Sequence, residues 1–259
     1  MNLSRQIDSN RIQFSYLHAT NSHIMPEKIP CDVYQTMKVD QLLETPREVR
    51  DSVWRTEFFN AVTTACFKCG EPQMSHGPDG FPYFELHLPE PEESFESYCI
   101  HNLMEYLLEI GYGVVLNPKG EDADWVFSYG DIVNLSLNQE IYSVPDHDPL
   151  PEYYATDEEE KVMIFQPSEE YLPGIVKKML HSFLTYLHVK EPSMLAFIRS
   201  GGTENSGVTQ LSFNIFPEDY GSEDEYLIRL KQLSWFLPRH YIITGVSRSN
   251  PITQYFEPL

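Results

Sequence analysis

Apolar and polar positions follow a regular order between Lys161 and Val246. Short apolar runs, typical of buried strands, alternate with stretches in which apolar residues recur at every third or fourth position, as on one face of a helix. This pattern predicts a strand, a helix, two strands, a second helix and a last strand. The six segments are Val162–Phe165, Ile175–Leu187, Met194–Ile198, Thr209–Ile215, Tyr226–Leu237 and Tyr241–Val246.

Residues that begin or end helices stand at the boundaries of these segments. Pro173 lies near the first turn of the first helix, where a proline removes no helical hydrogen bond. Ser222 and Glu225 have the spacing of a capping box for the second helix. Pro238 then stops that helix because proline cannot continue it. These signals agree with the apolar spacing and support the predicted order.

The order of the six segments predicts an α+β fold with the ferredoxin-like topology (β-α-β-β-α-β). In that topology a four-stranded antiparallel sheet carries both helices on one face. The opposite face is usually polar because it contacts water. Here Val162–Phe165 and Met194–Ile198 are apolar on both faces. We therefore expect the helix-free face to be covered by a neighbouring domain, by a partner protein or by a second copy of the chain.

The first half of the chain shows a similar succession of patterns. Apolar spacing predicts a helix over Val53–Cys69, which Gly70 would end. Gly77-Pro78-Asp79-Gly80 predicts the turn of a hairpin. A second helix is expected from Ser94 to Ile110. The strands expected in this half are Glu71–His76, Phe81–Leu88, Val114–Leu116, Trp125–Phe127 and Ile132–Leu137.

The segment Glu85–Pro118 matches the segment Phe213–Val246 at an offset of 128 residues, with five identities. Pro89-Glu90 falls on Pro217-Glu218, and Ser94 falls on Ser222. The repeated order of strand, Pro-Glu corner, serine cap, helix and strand is that of a whole supersecondary unit. We therefore predict two tandem domains, with the N-terminal domain a divergent relative of the C-terminal one.

Composition shifts place the boundaries between the predicted segments. Prolines interrupt the first 50 residues, in which Arg11–Leu17 alternates like a strand, while prolines and carboxylates dominate Pro145–Glu160. The predicted organisation is an N-terminal arm or strand over residues 1–50, an α+β domain over 51–144, an acidic Pro-rich linker over 145–160 and the ferredoxin-like domain over 161–259.

The charge of the chain restricts the classes of partner that it can bind. The net charge is −21, from 39 acidic and 18 basic side chains. Such a surface repels phosphate backbones and anionic lipid, so we expect neither nucleic acid nor a membrane surface as partner. The chain contains no long apolar run and its start lacks the apolar core of a signal peptide. We expect a soluble, cytoplasmic protein.

Four cysteines raise the question of a metal or redox site. Cys66 and Cys69 fall at the predicted C-terminus of a helix, where the dipole disfavours the thiolate that a redox pair needs. A zinc site needs four ligands, so Cys31, Cys99 or His76 would have to join this pair. Buried, reduced core cysteines are the simpler interpretation. Cys66, Cys69 and His76 remain the metal candidates, and no cofactor is predicted.

The remaining candidates concern interaction rather than catalysis. Neither a nucleophile elbow nor a phosphate-binding glycine loop occurs in the chain. The acidic run that includes Glu158, Glu159 and Glu160 is either a solvated linker or a docking patch for a basic partner. Asn117 and Pro118, which stop a predicted strand, are further interaction candidates.

Short motifs at the ends of elements carry a family resemblance. Gly111 to Pro118 (GYGVVLNP) resembles a turn and strand in the first domain of the bacterial enhanced-serine-sensitivity proteins. Other motifs resemble that family's C-terminal domain, namely Gln166-Pro167, Leu172-Pro173, Met194–Ile198, Leu237-Pro238 and Tyr255 to Pro258 (YFEP). The resemblance spans about Val53 to Leu259, without the first 50 residues or the Cys66 and Cys69 pair. It implies a cytoplasmic, two-domain, non-catalytic protein connected with serine tolerance.

Three functional hypotheses follow. The first is a non-enzymatic protein of interaction or regulation, which binds a protein partner or a second copy through the helix-free sheet face. The second is a small-ligand sensor for an amino acid, because amino-acid-binding regulatory domains share the predicted topology. The third is a hydrolase or metalloprotein whose site residues are dispersed along the chain.

Overall fold

The computed structural model describes residues 28–120, 122–143, 152–154, 161–200 and 207–259. The chain divides into two units, Met1–Phe127 and Ser128–Leu259, which we call unit 1 and unit 2. The division lies upstream of Pro145–Glu160, the segment that the sequence predicts as the linker. Most of that segment is outside the described residues, but Glu152–Tyr154 forms a strand that pairs within unit 2.

Unit 1 contains three helices and a four-stranded sheet among its described residues. Its elements are α1 (Val33–Leu43), α2 (Ser52–Val62), β1 (Lys68–His76), β2 (Pro82–His87), α3 (Ile100–Ile110), β3 (Gly113–Leu116) and β4 (Trp125–Phe127), with a 3₁₀ turn at Arg47–Val49. The helix α1 falls within the predicted N-terminal arm, whereas the predicted strand Arg11–Leu17 lies outside the described residues.

The sheet of unit 1 has the strand order β1-β2-β3-β4. The predicted hairpin is confirmed, because β1 and β2 pair antiparallel around the turn that Gly80 closes with a φ of 82°. β3 is parallel to β2 and β4 is antiparallel to β3. The helix α3 therefore makes the crossover between two parallel neighbours, and Gly111 ends it in the left-handed conformation, as predicted.

Aromatic side chains form the core between α2 and the sheet of unit 1. Trp54 stacks on Phe58 with ring centroids 4.8 Å apart, and Trp125 lies 5.1 Å from Phe58. Phe127 adds a ring 6.3 Å from Phe58. Because these rings come from α2 and β4, their burial holds the helix on one face of the sheet.

Unit 2 also contains three helices among its described residues, together with six strands. Its elements are α4 (Tyr129–Asn138), β5 (Glu152–Tyr154), β6 (Lys161–Phe165), α5 (Gly174–Tyr186), β7 (Ser193–Ser200), β8 (Thr209–Phe213), α6 (Glu223–Ser234), β9 (Ile242–Val246) and β10 (Glu257–Pro258), with 3₁₀ turns at Pro217–Asp219 and Pro251–Tyr255.

The sheet of unit 2 mixes parallel and antiparallel pairs. β7 and β8 form an antiparallel hairpin, and β6 is antiparallel to β7. β9 is parallel to β8, and β5 is parallel to β9. The predicted α+β class and order of elements are confirmed, but the all-antiparallel, ferredoxin-like sheet is wrong. The pattern of a strand does not encode its direction, and α6 supplies the crossover that a parallel pair requires.

Three helix boundaries differ from the prediction. The segment Ile132–Leu137 is part of the helix α4 and not a strand, because Ser128 and Asp131 form a capping box that begins a helix there. The helix predicted over Val53–Cys69 ends at Val62, and the chain then turns into β1. The helix expected from Ser94 begins at Ile100, with Cys99 in the N-cap position.

The helix α4 is anchored to the segment that follows α6. The Arg239 guanidinium donates to the buried Asp131 carboxylate through Nε at 2.8 Å and Nη2 at 3.1 Å. The backbone N–H of Gly130 donates to the Trp235 carbonyl at 2.9 Å, and Tyr129 stacks on the Trp235 ring. These contacts explain why α4 belongs to unit 2 rather than to the strands that precede it in the chain.

Candidate functional site

An exposed sheet edge lies at β6 in unit 2. Within the described part of the chain, β6 pairs with β7 alone. Its Met163 side chain is 60% exposed on one face, whereas Val162 and Ile164 are partly buried on the other. An unpaired strand edge presents free backbone N–H and C=O groups, so β6 has the properties of a site for strand addition.

The partly buried side of β6 belongs to an apolar cluster on the sheet face opposite α6. Gly245 marks the α6 face, because a Cβ there would touch Leu230 at 3.0 Å. The residues of the cluster belong to the other face, since side chains alternate along a strand. They are Leu195, Phe197, Phe216, Val246 and Ile252, with Val162, Ile164 and Phe256 packed against them.

The C-terminal segment of unit 2 supplies part of the cover that the sequence predicts for this face. β10 pairs with Ser193 and Met194 of β7, on the same side of β7 as β6. Before it, the 3₁₀ turn Pro251–Tyr255 places Ile252 in the cluster. A tail within the same unit therefore covers these apolar side chains. The sequence predicts that a neighbouring domain, a partner or a second copy covers them.

A groove of about 510 Å³ lies between β6 and this C-terminal segment. Apolar and aromatic side chains share its lining with amide and carboxylate groups. The lining residues are Val162, Ile164, Phe165, Gln166, Gln254, Tyr255, Phe256 and Glu257. Glu257 is the one carboxylate in this set, and the set contains no histidine, cysteine, serine or lysine. The groove therefore has the chemistry of a binding surface and not of an acid-base centre.

Ion-pair and ring contacts fix the far wall of the groove. Phe256 packs edge-to-face on Phe216 with centroids 6.1 Å apart. The Arg248 guanidinium lies 4.3 Å above the Phe216 ring and donates to the Asp219 carboxylate at 2.5 and 2.7 Å. The Leu259 N–H donates to the Pro192 carbonyl at 3.0 Å. The C-terminal wall is thus tied to the sheet at both of its ends.

A second groove, of about 460 Å³, lies in unit 1 where β1 bulges out of register with β2. Its lining includes Cys69, Glu96, Tyr98 and Lys68. A hydrogen bond to Glu96 raises the pKa of Tyr98 to about 12, and burial raises the pKa of the Cys69 thiol. The Lys68 ammonium is paired with Glu93 at 2.8 Å. At neutral pH the thiol and the phenol are protonated and the cation is paired, so the groove holds no activated nucleophile.

The metal candidates do not come together. Cys66 is buried in the segment between α2 and β1, whereas Cys69 lies in β1 beside Tyr98. His76 lies at the opposite end of β1 from Cys69. In the described ranges no group of three or more His, Cys, Asp or Glu side chains is placed to hold a metal ion. Cys66, Cys69 and His76 are therefore not a shared site.

The interaction candidates divide between the described and undescribed parts of the chain. Glu158, Glu159 and Glu160 lie outside the described residues. Asn117 has a positive φ of 47°, accepts from the Leu88 N–H at 2.9 Å and donates to Asp124 at 2.8 Å. These two hydrogen bonds of Asn117 hold the loop that begins at Pro118. The role of Asn117 in this structure is therefore structural.

Sequence reasoning missed the C-terminal wall, although the chain carries a signal for it. Asn250 is followed by Pro251, and the Asn250 side chain accepts from the Ile252 N–H at 3.1 Å to cap the 3₁₀ turn. A cap followed by proline is a recognised start of helical turns. The apolar Ile252 and Phe256 after it indicate a segment that packs on a surface.

Comparisons of the chain with protein-family models, with curated proteins and with solved structures find no match. In the described residues no helix combines the length and apolar character that a membrane span requires. The resemblance to enhanced-serine-sensitivity proteins stays a prediction that rests on the motifs from Gly111 to Pro118 and from Gln166 to Pro258.

Proposed function

We propose that this protein is a non-enzymatic interaction protein whose unit 2 binds an extended segment of a partner protein by strand addition to β6. The observation that carries this proposal is the edge of β6 that pairs with no strand among the described residues and that lies beside a groove with apolar, aromatic and amide side chains. Strand addition joins backbone hydrogen bonds along the edge with pockets for alternate side chains. Val162 and Ile164, which occupy alternate positions of β6, line the groove.

Charge and pattern define the partner segment. The chain carries a net charge of −21, which attracts basic partners and speeds their encounter. An added strand would present every second side chain to the groove lined by Phe165, Tyr255 and Phe256. The segment that fits is extended, apolar at alternate positions and basic at the positions between.

A second copy of the chain fits this edge less well than a basic partner. Two chains that each carry −21 repel each other, most strongly at low ionic strength. The tail that includes β10 and Ile252 also already covers part of the apolar face that a homodimer would bury. Light scattering on the protein alone tests this point, since a stable dimer would identify the second copy as the occupant.

The two units support a shared origin for the module. Each contains a helix, an antiparallel hairpin, a second helix and a strand parallel to the second strand of the hairpin. We infer that they are divergent copies. The proposed edge belongs to unit 2 alone, because β6 is an addition that the described part of unit 1 lacks.

If the protein binds a small ligand, the groove of unit 1 is the candidate site for it. A free amino acid requires a cation for its carboxylate and an anion for its ammonium group. The Lys68 cation in that groove is already paired with Glu93. The edge of unit 2 is therefore the better-supported site.

Binding of a labelled peptide that alternates lysine and valine tests the proposal. We expect measurable fluorescence anisotropy at low salt, and we expect binding to weaken as salt rises. Tyr255→Ser removes a groove side chain that is 51% exposed and should weaken binding by about tenfold. Met163→Ser is the matched control, because Met163 is similarly exposed but lies on the other face of β6.

Two probes separate strand addition from simple charge attraction. A peptide of the same composition that is N-methylated at every second residue keeps its charge but loses the backbone donors of one edge. We expect it to bind poorly. Equal binding of the two peptides, or equal losses in the Tyr255 and Met163 variants, would show that β6 and its groove are not the site.

A further inference from the structure

The outer edge of the unit 2 sheet is built from two segments of the chain. β6 pairs with Ala196–Ser200 of β7, and β10 pairs with Ser193 and Met194 on the same side of that strand. Only Leu195 separates the two paired stretches. Because β6 and β10 are both antiparallel to β7, they run in the same direction, one behind the other. No other strand among the described residues pairs with either of them, so they form one composite edge along β7.

The pairing register divides the side chains of the composite edge between two faces of the sheet. Met163 lies opposite Ile198, and Glu257 lies opposite Met194. Residues that lie opposite each other share a face, and the faces alternate along a strand. Both Ile198 and Met194 are an odd number of residues from Phe197, which belongs to the apolar cluster. Met163 and Glu257 therefore share the face that points away from the cluster.

The groove of unit 2 opens at this edge, because residues of both faces line it. Val162 and Ile164 lie on the face of the cluster, whereas Phe165 and Glu257 lie on the other face. Tyr255, which is exposed, lies two residues before Glu257 and also lines the groove. An added strand would thus meet apolar side chains at one set of alternate positions. At the end of the other set it would meet the Glu257 carboxylate.

The Glu257 side chain is available to a partner. It is exposed, and within the described ranges its carboxylate takes part in no ion pair. Arg248, the cation of the far wall, is paired with Asp219 at 2.5 Å. Pro258 follows Glu257 and has no N–H, so it weakens the edge as a template for pairing. Glu257 is therefore a charged residue at the end of the usable edge.

We propose that Glu257 fixes the register of the partner segment by pairing with one of its lysine or arginine residues. This inference rests on the proposed function, because the cation would belong to a strand added to β6. A carboxylate favours a cation directly across a strand pair and disfavours an anion there. Since Met194 and Ile198 are four residues apart, the cation lies four residues from the partner position opposite Met163.

A fixed charge at one end of the edge solves a problem that an alternating segment creates. A segment with apolar residues at every second position can shift by two residues and keep its apolar side chains on the same face. Backbone hydrogen bonds do not distinguish these registers, since they are the same for every residue type except proline. A charge pair at Glu257 favours one register over the shifted ones. Glu257 is therefore a specificity-determining residue of the proposed site.

A double-mutant cycle between the protein and an eight-residue peptide tests the proposal. The labelled peptide alternates lysine and valine, and its ends are blocked so that they carry no charge. Each lysine is replaced in turn by glutamine, and binding is measured by fluorescence anisotropy at low salt. We expect one lysine near an end of the peptide to contribute about fivefold to affinity, and each of the others less than about twofold. The sensitive lysine lies near the amino end if the added strand is antiparallel to β6, and near the carboxyl end if it is parallel.

Variants of the protein assign this effect to Glu257. Glu257→Gln should remove the dependence on the sensitive lysine, so that all lysine replacements have similar effects. Glu223→Gln is the matched control, because Glu223 is an exposed carboxylate of α6 and its replacement changes the net charge equally. It should keep the fivefold effect. Glu257→Lys should reverse the preference, so that glutamate at the sensitive position binds about fivefold more tightly than lysine.

The outcomes separate this inference from the proposed function. If N-methylation of the peptide backbone weakens binding but all lysines contribute equally to the wild-type protein, strand addition to β6 stands and the role of Glu257 is wrong. Equal behaviour of Glu257→Gln and Glu223→Gln would also refute that role, because total charge would then explain the binding. If the peptide does not bind at all, both the proposed function and the role of Glu257 are wrong.

Discussion

Units 1 and 2 share an order of elements but differ in the sheet face that lies opposite the crossover helix. In unit 1 this face carries Tyr83, Glu85 and His87 of β2, which alternate with the core residues Phe84 and Leu86. In unit 2 the corresponding face carries the apolar cluster around Phe197 together with the buried polar side chains of Gln210, Ser212 and Thr244. The same scaffold therefore supports one face that is partly exposed and one face that is buried.

Each surface is completed by local means. In unit 1 the Tyr83 ring lies over Gly113 of β3 and over Gly77, which follows β1, and its hydroxyl donates to Asp79 at 2.5 Å. In unit 2 the C-terminal segment packs Ile252 and Phe256 on the sheet. The difference shows that an apolar face needs a covering segment, and that the groove forms where this segment meets the edge strand.

Removal of a buried ring tests the contrast most strongly. Phe197 is fully buried, so Phe197→Ala should lower the free energy of unfolding by about 3–5 kcal/mol through lost burial and a residual cavity. The counterpart in unit 1 is Ser75, which pairs with Tyr83. Ser75→Ala should change the free energy by less than about 0.5 kcal/mol. Urea unfolding measures both, and similar losses would refute the contrast between the faces.

Local patterns predicted the elements of the fold better than their connections. The spacing of apolar residues and the caps at Ser222 and Gly111 identified most helices and strands in the right order. The helix α4 was missed because Asn134 and Ser136 alternate with apolar neighbours as in a strand, whereas the capping box of Ser128 and Asp131 begins a helix. The direction of β9 depends on the crossover through α6, which no local pattern records.

The sequence predicted the candidate site only in part. The apolar character of β6 and β7 predicted that their second face is covered. The cover comes from the tail that contains Ile252 and Phe256, far from β6 in sequence. The composite edge of β6 and β10 depends equally on tertiary contacts, since β7 brings the two segments together.

Substitution of a glycine in β3 or β9, the strands that follow the crossover helices of the two units, is expected to have an effect of intermediate size on stability. A Cβ at Gly113 of β3 would collide with the Phe127 carbonyl, whereas a Cβ at Gly245 of β9 would collide with the Tyr226 hydroxyl. Each Gly→Ala variant should lose about 1–3 kcal/mol of unfolding free energy by overpacking. Tyr226→Phe should restore part of the loss in Gly245→Ala, because it removes the obstructing oxygen.

No equivalent rescue should exist in unit 1, since the atom that opposes Gly113 belongs to the backbone. The measurement is a double-mutant cycle by thermal or urea unfolding. Additive effects of Gly245→Ala and Tyr226→Phe would show that the hydroxyl is not the obstacle.

A smaller effect distinguishes the two arginine–aromatic contacts. Arg50 lies 4.6 Å above Trp54 and donates to the Thr45 carbonyl, and Arg248 lies 4.3 Å above Phe216 and pairs with Asp219. Each Arg→Ala change should cost about 0.5–1 kcal/mol. The cost of Arg248→Ala should fall as salt rises because its partner is charged, whereas that of Arg50→Ala should change little. Unfolding at low and high salt measures this difference.

The smallest expected effect is on the pH dependence of stability, and it concerns the residues that precede β3 and β9. His240 precedes β9, and its counterpart before β3, at the offset of 128, is Tyr112. Burial lowers the pKa of His240, so the unfolded chain binds the proton more readily than the folded unit. The stability that neutral His240 contributes is present above the unfolded pKa of about 6.5 and is lost as pH falls below it.

His240→Asn should therefore lose less stability than the wild type when pH falls from about 7.5 to about 5.5, because the variant has no group to protonate at this position. Tyr112→Phe is the control and should follow the wild-type pH dependence, since a tyrosine does not titrate in this range. Urea unfolding at the two pH values provides the four free energies. If His240→Asn and the wild type lose equal stability, the imidazole is charged in the folded state as readily as in the unfolded chain, and unit 2 has no special acid sensitivity at β9.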